Sequence, residues 1–179
     1  NVFESGAINW TYTTGGNTGH PATAYGGTKN ALFFYGSYSG ETTKLVTSVL
    51  DLSAVNLPVL KFWHTQDAWA ADQDQLRIYY KTSAGGVWNL LVAYTTEITN
   101  WVQETIALPN KTATYYIAFE ARTGYGYGIC IDDVTVEQKA VSYSLASQPL
   151  SQRKTVGVRP FKHLDSSYEE IRYFDTEEK

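Results

Sequence analysis

The stretch that decides the fold is Val59-Leu-Lys-Phe-Trp-His-Thr-Gln66, followed shortly by Gln75-Leu-Arg-Ile-Tyr-Tyr-Lys-Thr82. In both segments side chains alternate along the chain, so that every second one lies on the same face of an extended backbone. This period of two, together with β-branched and aromatic residues, predicts two strands that each bury one face. Leu60, Phe62 and His64 share one face of the first segment, opposite Val59, Lys61 and Trp63, and Leu76, Ile78 and Tyr80 share one face of the second, opposite Arg77 and Tyr79.

Outward from this centre, similar runs recur at intervals of roughly ten residues, with polar or Gly-rich breaks between them. The chain contains 14 Tyr and 14 Gly, is 15% aromatic and only 18% charged, a composition typical of short strands joined by turns. We therefore predict an all-β protein, an antiparallel β-sandwich with jelly-roll topology. The predicted strands are Ala31–Tyr35, Lys44–Asp51, Val59–Gln66, Gln75–Thr82, Trp88–Tyr94, Val102–Leu108, Thr114–Glu120 and Gly128–Glu137.

The breaks and the two ends of the chain complete the predicted organisation. Turn residues in Ser83–Gly86 and Leu108–Lys111 predict that the strands on either side of each break pair antiparallel. Residues 1–30 are expected to form long polar loops. Residues 1–138 are predicted to be the binding domain and residues 139–179 a linker and tail. Within that tail, Ser166–Lys179 has a capping box and apolar residues three apart, which predict a short helix.

Charge and cysteine content exclude several classes of protein. The formal net charge is -4 and no run of Lys or Arg occurs, which argues against a surface for nucleic acid. No apolar stretch is long enough for membrane insertion. The single cysteine, Cys130, has no partner for an internal disulfide and lies in an apolar run, so we expect a buried, unreactive thiol.

Catalytic motifs are not found in the sequence. The three histidines, His20, His64 and His163, lie outside any recognisable triad, metalloprotease or phosphate-loop motif. His64 falls in mid-strand and is interpreted as a structural histidine whose ring nitrogens are satisfied by its neighbours, while His20 is interpreted as an ordinary loop residue. We predict that the domain is not an enzyme. The alternative is a hydrolase that uses the acids near residue 70 together with His64.

Two acidic groups could hold a cation. Asp132 and Asp133 end the apolar run of the last strand, where adjacent carboxylates need an explanation. Either one faces solvent while the other braces a turn, or both supply oxygen to a hard cation such as Ca²⁺. The second group is Asp67, Asp72 and Asp74, which lacks the spacing and Gly of an EF-hand and is the weaker candidate.

Aromatic residues in predicted loops indicate a binding surface. Trp69, Tyr38 and Tyr125 lie where little core is available to them, and aromatic loop residues often form binding platforms. The alternative for Tyr125, together with Tyr127, is that the two rings simply cover Gly-rich backbone. With Asp67 and Asp74 from the Trp69 loop, these five residues are the predicted ligand-binding set.

Several motifs, taken in order, carry a resemblance to a known family. The sequence resembles the cleaved-adhesin domain family, also called choice-of-anchor J, which is found in gingipain and haemagglutinin proteins of Bacteroidetes. It is also similar to MAM domains and to calcium-bearing carbohydrate-binding modules, and the resemblance covers residues 1–138. The motifs are Phe3-Glu4-Ser5-Gly6, Trp10, Thr18-Gly19-His20-Pro21, Asn30-Ala31, Leu60-Lys-Phe-Trp63, Asp74-Gln-Leu-Arg-Ile-Tyr-Tyr80, Trp88, Trp101, Ile117-Ala118-Phe119-Glu120 and Ile131-Asp-Asp-Val134.

This resemblance implies a secreted or cell-surface module that binds calcium. Glu4 and Asp132 are then expected to be calcium ligands, joined by Asp133 and by a donor at or near Asn30. The implied role is adhesion to a host surface or matrix protein, haemagglutination, or substrate recognition beside other domains of a larger protein. The alternative is a carbohydrate-binding module that accompanies a secreted hydrolase or peptidase. Residues 139–179 match nothing in the family.

Overall fold

Two five-stranded antiparallel sheets form the protein. The structure is a computed structural model that describes residues 2–3, 9–37 and 39–140. Residues 2 and 3 are described by their backbone alone. One sheet has the strand order β1-β4-β9-β6-β7 and the other β2-β3-β10-β5-β8, which is a jelly-roll sandwich. The predicted fold class is therefore confirmed. The strands are β1 Val2–Phe3, β2 Thr11–Thr13, β3 Asn30–Phe33, β4 Thr42–Val46, β5 Pro58–Gln66, β6 Gln75–Lys81, β7 Asn89–Tyr94, β8 Ile98–Ala107, β9 Tyr116–Arg122 and β10 Ile129–Gln138.

The core lies between the two sheets and follows the predicted alternation. Leu60, Phe62 and His64 in β5 are fully buried, and β6 buries every second residue from Leu76. Phe62 packs edge-on against Phe119 of the opposite sheet, with ring centroids 5.2 Å apart. Since each fully buried large apolar side chain contributes about 1.5–3 kcal/mol, this interlayer packing is the main source of stability.

The eight predicted strands correspond to β3–β10, whereas β1 and β2 were missed. Both missed strands are two or three residues long and add to sheet edges by backbone pairing, so they leave little periodicity in the sequence. β8 begins at Ile98, four residues before the predicted start at Val102, because polar residues of an edge strand carry no alternating pattern.

Of the two predicted hairpins, one is confirmed and the other is wrong. β6 and β7 pair antiparallel across the Ser83–Gly86 turn, as predicted. The Leu108–Lys111 turn instead carries the chain from one sheet to the other, since β8 pairs with β5 and β9 pairs with β4 and β6. Asn110 in this turn has φ +52 and its side chain donates to the Tyr80 hydroxyl at 2.8 Å, which fixes the crossing.

The loop of residues 14–29 lies across the outer face of the sheet that contains β10. The ring of Tyr25 stacks on Trp63 of β5 at a centroid distance of 3.7 Å. Trp101 Nε1 of β8 donates to the Thr23 carbonyl at 3.1 Å. Gly16 has no room for a side chain, because a Cβ there would lie 1.9 Å from the His20 carbonyl oxygen. Loop 14–29 is therefore fixed by the sheet beneath it.

In the described part of the chain, no helix is long and apolar enough to cross a membrane. Regular helical structure there is the three-residue 3-10 turn Asn17–Gly19. The helix predicted over Ser166–Lys179, together with His163, lies outside the described residues.

Candidate functional site

Four loops meet at one end of the sandwich and line an open pocket of about 260 Å³. They are loop 14–29, the β3–β4 loop, the β5–β6 loop and the β9–β10 loop. Aromatic rings from three of these loops make up most of the wall. The pocket, called the aromatic cleft below, is lined by Asn17, Phe34, Gly36, Trp69, Tyr125, Gly126 and Tyr127.

Trp69 is presented by a tight hairpin. Its backbone N–H donates to the Asp72 carbonyl at 3.0 Å, and the Asp72 N–H donates back to the Trp69 carbonyl at 2.9 Å. The two residues between them are alanines, and Ala70 has φ +54. This hairpin leaves Trp69 58% exposed in the wall of the cleft, and Phe34, another lining residue, is 39% exposed.

Asp74 holds the β9–β10 loop from behind. It is 1% exposed, and its carboxylate accepts from the backbone N–H of Gly124 at 2.6 Å and of Gly128 at 2.9 Å. Burial raises the pKa of the Asp74 carboxyl, while these amide donors act in the opposite direction. Gly124 fits only without a side chain, since a Cβ there would lie 2.1 Å from the Gln73 carbonyl oxygen. Asp74 therefore positions Tyr125 and Tyr127 and does not face the cleft.

His20 joins three of the four loops. Its Nδ1 lies 2.5 Å from Oδ2 of Asp67, and its ring stacks on Tyr127 with centroids 3.9 Å apart and planes 8° from parallel. The Asp67 carbonyl accepts the Tyr127 N–H at 3.0 Å. The interpretation of His20 as an ordinary loop residue is wrong. Nothing near His20 in the sequence signals this contact, because its partners come from distant loops.

The structure brings together part of the predicted ligand-binding set. Trp69 and Tyr125 line one cleft, and Asp67 lies next to it under Tyr127. Tyr125 and Tyr127 both line the cleft, and Tyr127 also stacks on the ring of His20. Asp74 is a buried support. Tyr38 lies outside the described residues.

The predicted calcium ligands on β10 contact loop 14–29. Oδ2 of Asp132 accepts from the backbone N–H of Tyr25 and of Gly26, both at 3.0 Å. Asp133 has φ +47 at a β-bulge, and its carboxylate lies so close to Gly26 that a Cβ there would approach it to 2.7 Å. Within residues 9–37 and 39–140, no group of three or more His, Cys, Asp or Glu side chains could hold a metal ion.

The other two predicted calcium ligands are Asn30 and Glu4. Asn30 is 1% exposed; its Oδ1 accepts the Gly15 N–H at 2.8 Å and its amide N–H donates to the Gly15 and Ala31 carbonyls. The side chain of Asn30 is thus already engaged by backbone. Glu4 lies outside the described residues.

Cys130 is buried, as predicted, and His64 is buried as well, although its ring lacks the hydrogen-bond partners expected for it. Burial lowers the pKa of His64 to about 4, and the ring packs between Phe62 and Tyr94 with neither ring nitrogen in a hydrogen bond. Burial raises the pKa of the Cys130 thiol to about 12, which keeps it protonated and unreactive. Neither group lines the aromatic cleft, and the carboxylate that the structure places at His64 Nε2, 3.7 Å away, belongs to Glu104 of β8.

Comparison with known proteins agrees with this architecture. The K1 cleaved adhesin domain of Lys-gingipain from Porphyromonas gingivalis W83 matches at 20% identity and a TM-score of 0.53. The match covers 78% of this chain and 98% of that chain. The K3 cleaved adhesin domain of Lys-gingipain matches at 20% identity and a TM-score of 0.51, with 73% of this chain and 91% of that chain covered.

A carbohydrate-binding module shares the fold as well. The C-terminal family 22 module of Clostridium thermocellum Xyn10B, whose cleft takes part in ligand binding, matches at 12% identity and a TM-score of 0.50, over 75% of this chain and 82% of that one. These low identities show a common fold. No curated protein is similar enough to count as a match. The MAM domain family (meprin/A5/mu) matches residues 3–140, and the chain belongs to that family.

Proposed function

We propose that this MAM domain is a non-catalytic binding module of a secreted or cell-surface protein, and that it captures its partner in the aromatic cleft. The observation that carries the proposal is the exposed ring of Trp69, held by a tight hairpin in the wall of a pocket lined by further aromatic rings. Such rings, fixed before binding, lose little conformational freedom when a partner arrives.

The cleft best suits an anchoring side chain of a host surface or matrix protein. Its walls come mainly from Phe34, Trp69, Tyr125 and Tyr127, and small aromatic pockets of this kind typically receive one apolar or aromatic hot-spot residue. Binding would then serve adhesion, or recognition of a substrate for other domains of the same protein.

A glycan is the second candidate. The observation that favours it is the accessible face of Trp69, on which the apolar face of a sugar ring can stack, next to the side chain of Asn17 as a hydrogen-bonding group. The fold shared with a carbohydrate-binding module supports this candidate as a scaffold only.

The test measures binding of the full chain to immobilised fibronectin and collagen and to xylohexaose and β-1,4-galactotriose. Trp69→Ala and Tyr125→Ala are expected to weaken binding about tenfold or more, as removal of a hot-spot ring does. Tyr12→Ala is the matched control, because Tyr12 is a 72% exposed aromatic that does not line the cleft. Binding that survives both cleft variants would overturn the proposal. Turnover of peptide or glycan substrates would contradict its non-catalytic part.

We also propose that calcium stabilises the domain at the Asp132–Asp133 bulge. Two carboxylates are the hard oxygen donors that Ca²⁺ prefers, and both contact the Tyr25–Gly26 segment. The described side chains alone do not complete a site, so Glu4 or backbone carbonyls must supply the remaining donors. The Asn30 side chain is left out of this proposal because Gly15 already occupies it.

A further inference from the structure

The two sheets carry opposite charge. The strands of the β1-β4-β9-β6-β7 sheet contain four cations and one acid, whereas those of the β2-β3-β10-β5-β8 sheet contain one cation and four acids. In the described part of the chain, half of the eight Lys and Arg residues therefore lie on one sheet. These four are Lys44 on β4, Arg77 and Lys81 on β6, and Arg122 on β9.

All four cations face away from the core. The residues between them, such as Ile78 and Phe119, belong to the core cluster, and alternation along a strand sends their neighbours to the opposite face. The register places Lys44 and Arg77 on either side of Glu120, and it pairs Lys81 with Tyr116. From Tyr116 to Arg122, six steps along β9, the cationic row extends over about 20 Å.

Glu120 fixes the centre of this row. The carboxylate is 6% exposed and contacts Lys44 Nζ at 2.5 Å, Arg77 Nη1 at 3.7 Å and the Tyr79 hydroxyl at 3.3 Å. Lys and Arg carry three and five donor hydrogens, so one buried carboxylate leaves most of them unused. Lys44 and Arg77 remain 20% and 24% exposed. Glu120 thus holds two cations in place without cancelling the charge of the face.

Aromatic rings lie between the cations. Lys81 Nζ is 4.4 Å from the ring centroid of Trp88 and 5.3 Å from that of Tyr116. Lys44 Nζ is 5.7 Å from the ring centroid of Tyr79. These cation–π contacts restrict the lysines and leave rings beside them on the same face.

From this arrangement we propose that the outer face of the β1-β4-β9-β6-β7 sheet binds an anionic polysaccharide. The cations pair with carboxylate or sulfate groups spaced along an extended chain, and Tyr79, Tyr116 and Trp88 contact the sugar rings between those groups. This site lies on a sheet face and is separate from the aromatic cleft, so either proposal can fail while the other holds.

Polysaccharide is favoured over nucleic acid by the small number of cations and by the aromatic rings beside them. The row holds four cations on a chain of net charge -4, which is a weak field for the closely spaced phosphates of a nucleic acid. An acidic polysaccharide carries its carboxylate or sulfate groups directly on sugar rings, so that a sugar face lies beside each charge, and it matches a row in which cations lie beside aromatic rings.

The test measures the affinity of the full chain for heparin, polygalacturonate, neutral xylan and single-stranded DNA. Binding to heparin or polygalacturonate is expected, and the preferred polymer identifies sulfate or carboxylate as the recognised group. Affinity should fall as salt is raised from about 50 to about 300 mM, because exposed ion pairs are screened. Binding to neither acidic polymer overturns the proposal, as does equal or tighter binding to DNA.

Variants locate the site. Lys81→Gln with Arg122→Gln should reduce affinity for the acidic polymer about tenfold or more, since two charge-assisted contacts are lost. Lys29→Gln with Lys61→Gln is the matched control, because it removes the same charge outside this face. Equal losses of affinity in the two double variants would mean that only the net charge of the chain matters, which would overturn the proposal. Trp69→Ala should leave binding to the acidic polymer unchanged. Loss of that binding in Trp69→Ala would place the polymer in the aromatic cleft and overturn the proposal.

Discussion

His20 Nδ1 lies 2.5 Å from a carboxylate oxygen of Asp67, although the two residues are 47 positions apart in the chain. The same imidazole stacks on Tyr127. One side chain therefore connects loop 14–29, the β5–β6 loop and the β9–β10 loop, which all contribute walls to the aromatic cleft. The shape of the cleft depends on this contact.

Removing the His20 side chain should weaken binding at the aromatic cleft more than it lowers the stability of the fold. His20→Ala is expected to lower the free energy of unfolding by about 1–2 kcal/mol, since it loses one charge-assisted hydrogen bond and one ring stack. Affinity at the cleft should fall as well. A double-mutant cycle of His20→Ala with Asp67→Asn should give a coupling energy of about 1 kcal/mol in chemical denaturation. A cycle of His20→Ala with Asp72→Asn, an exposed acid in the same loop as Asp67, should give no coupling energy. Equal coupling energies in the two cycles would contradict the pairing of His20 with Asp67.

His64 should make the domain less stable in acid. Its folded-state pKa of about 4 lies below the value of 6.5 for an exposed imidazole, so the unfolded chain takes up a proton first as pH falls. The stability is complete above pH 6.5 and decreases between pH 6.5 and 4, by up to about 3 kcal/mol. Denaturant titrations across this window should show the slope in the native chain. His64→Leu should show a smaller slope, and an unchanged slope would refute the assignment.

Asp74 should be critical for both stability and binding. Asp74→Ala removes the acceptor of the Gly124 and Gly128 amides and leaves these donors without a partner, which we expect to cost about 3 kcal/mol. Binding at the aromatic cleft should be lost with it, because Tyr125 and Tyr127 are carried by the same loop. Asp72→Ala is the control, since that side chain is exposed two positions away. Chemical denaturation and the fibronectin or xylohexaose assay give the two readouts.

Calcium should raise the melting temperature of the full chain, and a chelator should lower it. An ion present at a hundred times its dissociation constant stabilises the folded state by about 2.7 kcal/mol. Asp132→Asn and Glu4→Gln should abolish the difference between calcium and chelator. The readout is that difference and not the melting temperature itself, because Asp132 also accepts the Tyr25 and Gly26 amides. Identical melts of the native chain in calcium and chelator would remove the metal proposal.

The sequence predicted what depends on regular alternation and missed what depends on long-range contact. The alternation along β5 and β6, with one face buried, was predicted correctly, because the period of two is a local property. The crossing at Leu108–Lys111 was predicted as a hairpin, since turn residues do not reveal which sheet the next strand joins. The exposed Trp69 was correctly placed in a loop, because its neighbours left it no core to enter.

Two features could not have been predicted from local patterns. The role of His20 depends on Asp67 and Tyr127, which reach it only in the folded chain. The cationic row is likewise absent from the sequence as a run, because Lys44, Arg77 and Arg122 come from three strands that are neighbours only in the sheet. Pairing of strands creates surface chemistry that composition alone hides.

The way Asp74 holds its loop has a consequence for how this domain can change. Asp74 bonds to backbone amides of Gly124 and Gly128, and these groups are the same whatever side chain follows at position 125. The Trp69 hairpin is likewise closed by main-chain bonds. Residue 69 can therefore be exchanged while its loop keeps its shape, much as hypervariable loops change on a constant framework. Residue 125 can be exchanged for side chains that accept its left-handed backbone, since Tyr125 has φ +65. New specificity can thus evolve, or be engineered, without rebuilding the domain.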